Sequence, residues 1–183
     1  PIQGDAGLLP AHKIFMKKSV GLWQFAGFAV TSLAGTLLHF LYDWTGGALW
    51  VAPFSGVNES TWEHMKLLFF PMLGFAVVQS LFFPEREDFW CVKLKGILRG
   101  QLLIPVIFYT YNGAIGRSPD WLNIAIFFVA AAAAYLYETR QFRNAPLPCK
   151  HPRCALATLA LLALLFITFT FATPPLGIFK DPL

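Results

Sequence analysis

Charge is what this chain has least of: Asp, Glu, Lys and Arg make up 13% of its 183 residues, about half the usual share in a soluble domain. With 56% hydrophobic residues beside it, that shortage excludes a soluble globular domain and gives an integral membrane protein. Also missing are alternating apolar and polar segments of about ten residues, the signature of an outer-membrane barrel. No small-residue cleavage site follows the first apolar run, and that run, Val20 to Tyr42, exceeds the roughly 7 to 15 residues of a signal peptide's apolar region. It is read as a retained transmembrane helix. Cysteine is sparse, with Cys91, Cys149 and Cys154 alone.

What is present is a series of apolar runs near the roughly 20 residues that carry an α-helix across the hydrocarbon core. They predict an all-α fold, an integral membrane bundle of five transmembrane helices at about 20–42, 62–83, 96–115, 121–137 and 154–172. Residues 1–18 form a cytoplasmic N-terminal tail, and residues 19–183 one transmembrane domain. The loop from Asp43 to Glu59 is rich in Gly, Pro and Trp. Trp44, Trp50 and Trp62 gather around it, as expected for rings seated at the headgroup level. Pro71 and Pro105 interrupt the second and third spans, where neighbouring helices tolerate a kink. Gly96-x3-Gly100 permits close helix contact, and Ser118-Pro119-Asp120 reads as the start of the fourth helix.

Cations set the orientation, because short loops rich in Lys and Arg stay in the cytoplasm. Lys13, Lys17 and Lys18 in the tail, Arg86, Lys93, Lys95 and Arg99 around the second connector, and Arg140, Arg143, Lys150 and Arg153 in the fourth make eleven on one side. Only Arg117 and Lys180 fall on the other, with Lys66 inside the second span. The N-terminus is therefore cytoplasmic and the C-terminus outside. The formal net charge of +4 describes topology and gives no reason to expect nucleic acid. In this orientation all three cysteines face a reducing compartment and are free thiols. Glu138 beside Arg140 reads as an interfacial ion pair, and Cys149-x-His151-x2-Cys154 offers too few ligands for a metal site on its own.

The same topology converges polar groups on the outer leaflet: His39 and Asp43, then Asn58 to Lys66, then Tyr109, Tyr111 and Asn112, then Asp120 and Asn123. His39 and Asp43 stand four apart, on one helix face, a spacing that suits two metal ligands or a hydrogen-bonded pair. Glu59, Glu63 and Lys66 share another face, with His64 turned about 100° from Glu63. Ser60-Thr61-Trp62-Glu63 also fits a capping box, in which Ser60 accepts from the backbone near Glu63 and Glu63 reaches back to Ser60. Glu63 or Glu59 can pair with Lys66. Ionisable groups within membrane spans are costly and mark functional sites, which leaves His39 and His64 as the strongest candidates.

Three motifs, His39-Phe40-x-Tyr42-Asp43-Trp44, Asn58-Glu59-Ser60-x-Trp62-Glu63-His64-x-Lys66 and Pro105-Val106-x-Phe108-Tyr109-Thr110-Tyr111-x-Gly113, resemble a family of small bacterial multi-pass membrane proteins of unknown function. That resemblance implies a multi-pass protein of the bacterial cytoplasmic (inner) membrane and supplies no reaction. Asn58-Glu59 and Trp62-x-His64 also show local similarity to the progestin/adiponectin receptor and haemolysin III families, which implies an intramembrane zinc site and amide-hydrolase chemistry. The Glu-to-Trp spacing is shorter here, and the late paired histidines are missing.

Two enzymatic constructions follow. In one, His39, Asp43 and His64 ligate zinc or another divalent metal, with Glu63 or Glu59 as general base; three protein ligands and one open position is the catalytic zinc pattern. In the other, a carboxylate–His pair performs acid–base work with Tyr109 or Tyr111 as proton donor. Asn58, Trp62, Lys66 and Asn112 would contact substrate, a lipid or small amphiphile at the outer leaflet. The alternatives are a solute or ion transporter or channel, working as an oligomer of this chain, and a non-catalytic accessory subunit of another membrane complex. Membrane lipids are the expected surroundings in each case.

Overall fold

A computed structural model describes residues 9–116 and 119–181, with the side chains of 9–18 and Asp120 left aside. The first eight residues of the expected tail, and Arg117 and Ser118, lie outside the described residues. Five α-helices follow in order: α1 (Leu9–Trp44), α2 (Thr61–Ser80), α3 (Phe89–Ile115), α4 (Asp120–Arg143) and α5 (Pro152–Phe171), then one 3-10 turn at Gly177–Phe179. Among the described residues there is no strand. Several boundaries differ from expectation: α1 begins at Leu9, α3 at Phe89, and α4 continues to Arg143. In each case charged residues that the hydropathy pattern assigns to connectors carry on as helix.

Among the described residues three helical segments, not five, are long and apolar enough to cross a membrane: Ser19–Trp44, Trp121–Arg143 and Pro152–Phe171. This fits a membrane protein and corrects the expected five spans. The reason is local. Glu63, His64 and Lys66 occupy the first two turns of α2, and Lys93, Lys95 and Arg99 the first half of α3, so neither carries the sustained apolar run of the other three. Both instead lie within the bundle, where α2 packs between α1 and α3, and α3 packs on α4 and α5. Large apolar side chains such as Leu22, Phe25 and Leu33 of α1, and Leu161, Leu164 and Phe171 of α5, face outward.

The core is built around α2 and α4. Leu68, Phe69, Met72, Ala130, Ala131 and Ala134 are completely or almost completely buried in it. Gly96 and Gly100 do allow close contact: a Cβ at Gly96 would collide with the Glu138 carboxylate, and one at Gly100 would lie 2.9 Å from the Leu68 side chain and 3.3 Å from the Ala134 Cβ. Trp44 and Trp50 are exposed, while Trp62 leaves the surface and packs on Phe166, Phe169 and Phe179.

The end bearing the α2–α3 and α4–α5 connectors is clasped. Arg86 grips Asp88 with two hydrogen bonds, at 2.8 and 3.0 Å, and donates to the carbonyls of Phe142 and Asn144. Asp88 also accepts the Leu147 N–H at 2.7 Å. This clasp brings the two connectors together, and Cys91 and Cys149 form a disulfide with their Cα atoms 6.3 Å apart. The expectation of three free thiols is corrected for that pair; Cys154 is free and exposed. Glu138 is corrected as well: it pairs with Lys93 at 2.6 Å inside the bundle, not with Arg140, since residues two apart on a helix do not face each other.

Candidate metal centre

The chain enters α2 as the capping pattern predicts. Ser60 is the N-cap, with extended backbone, and its hydroxyl accepts the Glu63 N–H at 3.4 Å. Asn58 Oδ1 accepts the Ser60 N–H at 2.9 Å, closing the preceding turn. Glu63 does not return to Ser60. Its carboxylate accepts the Val57 N–H at 3.0 Å and meets Lys66 Nζ at 2.6 Å. The Lys66 ammonium also donates to the Ala52 carbonyl at 2.8 Å and to Thr170 Oγ1 at 3.0 Å, so its three N–H groups are all used. Glu63 and Lys66 are thus a buried tie between the loop, α2 and α5, and they are turned away from the histidines.

The loop before α2 is sewn to the end of α1. Ser55 Oγ donates to the Leu38 carbonyl and accepts the Tyr42 N–H, and Gly56 N–H reaches the same carbonyl of Leu38. Gly56 thereby lies beside the His39 imidazole. This stitching carries Glu59 over the end of α1, where its backbone N–H donates to Asp181 Oδ2 at 3.3 Å. The result is a cluster of His39, Glu59 and His64, whose ligand atoms lie within 4.8 Å of one another. His39 Nε2 is 3.7 Å from Glu59 Oε1, and His64 Nε2 is 3.5 Å from Glu59 Oε2. Ligands about 2.0–2.1 Å from a tetrahedral zinc stand roughly 3.3 Å apart, close to these separations.

The second imidazole nitrogen of His64 is also placed. Its Nδ1 lies 3.0 Å from the Ser60 carbonyl, which can only accept, so Nδ1 carries a proton and, in the neutral ring, Nε2 presents its lone pair to the cluster. A ligand histidine oriented through its other nitrogen is the usual arrangement at metal sites. The backbone that caps α2 therefore also sets the tautomer of His64.

A cavity of about 120 Å³ opens beside the two histidines, walled by Phe40, Ile124, Phe127 and Phe128 among others. Phe40, Ile124 and Phe128 are also exposed on the outside of the bundle, so the cavity opens laterally between α1 and α4. A much smaller space on the far side of His64 reaches Glu59, Ile104 and Phe108.

Of the residues expected at the site, the structure gathers His39, His64 and Glu59. Asp43 is exposed at the last turn of α1, outside that cluster; Glu59 stands where Asp43 was expected. Tyr109 is exposed and Tyr111 half-buried, and Asn112 donates to the Phe108 carbonyl of its own helix. Trp62 belongs to an aromatic stack and Asn58 to a turn. Asp181 and Ser55, which position Glu59 and the loop, carry no signal in the sequence because each acts through a contact far along the chain.

Fold and site together define a helical bundle of membrane-protein type with His39, Glu59 and His64 clustered at one end, where they could hold a metal ion. The chain belongs to DUF6512, a family of unknown function, which it matches over residues 13–183. No curated protein and no solved structure matches it.

Proposed function

We propose that this protein is a membrane-embedded, metal-dependent hydrolase whose substrate is a lipid or small amphiphile. One observation carries the reading: two histidines and a glutamate meet at the polar end of a laterally open apolar cavity. A divalent metal such as zinc, held by His39, Glu59 and His64, would supply an activated water and polarise a substrate carbonyl. The apolar walls would take a hydrocarbon chain and direct its polar head toward the ligands. The local likeness of Asn58-Glu59 and Trp62-x-His64 to the zinc-containing receptor and haemolysin III families supports the same chemistry.

Elemental analysis of protein purified in mild detergent tests this directly. About one zinc per chain is expected after zinc loading and desalting, with loss in His39→Ala and in His64→Ala. No zinc on the parent, or full zinc on both variants, sinks the reading.

We further propose that the N-terminus is cytoplasmic, the C-terminus outside and the metal centre at the outer leaflet, on the strength of the eleven cations in the tail and even-numbered connectors. The exposed Cys154 reports the orientation. A membrane-impermeant maleimide should leave it unlabelled in intact cells and label it after permeabilisation; labelling in intact cells inverts the topology.

A further inference from the structure

About four turns along α1 from His39 lies a second polar group. Gln24, Gln79, Lys93 and Glu138 come one each from α1, α2, α3 and α4, and all four are buried. Neighbouring contacts set them at one level. On α1, Gln24, Gly27 and Thr31 share a face at i, i+3 and i+7; Gly27 abuts Tyr135 and Phe75, and Thr31 Oγ1 is 2.8 Å from the Tyr135 hydroxyl. Phe75 precedes Gln79 by one turn of α2, and Tyr135 precedes Glu138 by three residues on α4. Glu138 Oε2 takes Lys93 at 2.6 Å.

Five atoms at this level have no protein partner: Nε2 and Oε1 of Gln24, Nε2 and Oε1 of Gln79, and Oε1 of Glu138. Buried amides and carboxylates are otherwise hydrogen-bonded almost without exception, and the Lys66 ammonium in this same chain is fully used. Lys93 cannot serve these atoms on its remaining sides, because its ammonium lies 5.5–6.0 Å from the ring centres of Phe75, Phe89, Tyr135 and Phe142.

We propose that the four helices enclose an internal water site, in which water bridges Gln24, Gln79 and the free oxygen of Glu138. A buried water makes about three hydrogen bonds, so five open atoms correspond to about two molecules. Lys93 and Glu138 cancel each other's charge, which makes water the ligand in preference to a metal cation. The site hydrates the ion pair within an apolar bundle.

X-ray radiolysis of the full-length protein in lipid nanodiscs tests this, since hydroxyl radicals formed from bound water oxidise the adjacent rings. Tyr135 should be oxidised despite its burial, together with the half-buried Phe75 beside it, whereas Phe69, packed among Phe70 and Phe166, should not. In the double variant Gln24→Leu/Gln79→Leu, oxidation at Phe75 and Tyr135 should fall to the level of Phe69, with circular dichroism confirming the fold. If that variant fails to fold, Gln79→Met alone takes its place. Unoxidised rings in the parent, or unchanged oxidation in a folded variant, overturns the proposal. Oxidation in the parent that sodium or potassium abolishes identifies a cation site and overturns it equally.

Discussion

Replacing Lys66 with Met is expected to destabilise the protein by about 3–5 kcal/mol, the usual result of removing one partner from a buried ion pair. Glu63 would remain buried, keeping only the Val57 N–H of its contacts, and the Ala52 carbonyl and Thr170 hydroxyl would each lose a donor. The double variant Glu63→Gln/Lys66→Met should recover a large part of the loss, because neither charge is then stranded. Unfolding in mixed detergent micelles, run as a double-mutant cycle, measures both effects. A Lys66→Met variant as stable as the parent would mean that the tie does not hold the loop. Zinc retention by the double variant separates this role from chemistry: Glu63 is a structural carboxylate here, and its replacement should leave the metal on His39 and His64.

The second large effect distinguishes two neighbouring acidic residues. Glu59→Ala should weaken zinc binding beyond the roughly 10- to 100-fold that loss of an outer-shell partner costs, and Asp43→Ala should leave it unchanged. Competition against a chromogenic chelator gives both affinities. The reverse order would restore the ligand set that helical spacing alone favours, with Asp43 one turn from His39.

That contrast shows what a sequence of this kind makes legible. The helical class, the start of α2 at its Ser60 cap, and the approach of His39 to His64 could all be read from composition and local spacing. Glu59 was in view as a general base, but its place beside both histidines depends on a loop folded over α1 by Ser55 and Gly56. Spacing along one helix is blind to such a contact. The same limit explains Glu138, whose partner lies 45 residues away on α3, and Cys91, whose partner comes from another connector. The apolar runs at 62–83 and 96–115 were misleading in a particular way: they read as two further spans, whereas polar residues break up the apolar run of α2 and α3, and the bundle turns several of these inward, Glu63 and Lys66 to one tie, Gln79 and Lys93 to another level.

The loop stitched across the end of α1 has one further implication. All three candidate ligands fall between His39 and His64, in two consecutive helices and the turn that joins them, while α4 contributes only cavity wall. All three side chains are therefore present in the growing chain once the second helix has been made, while the Asp181 contact that holds the Glu59 backbone forms only after α5 has followed.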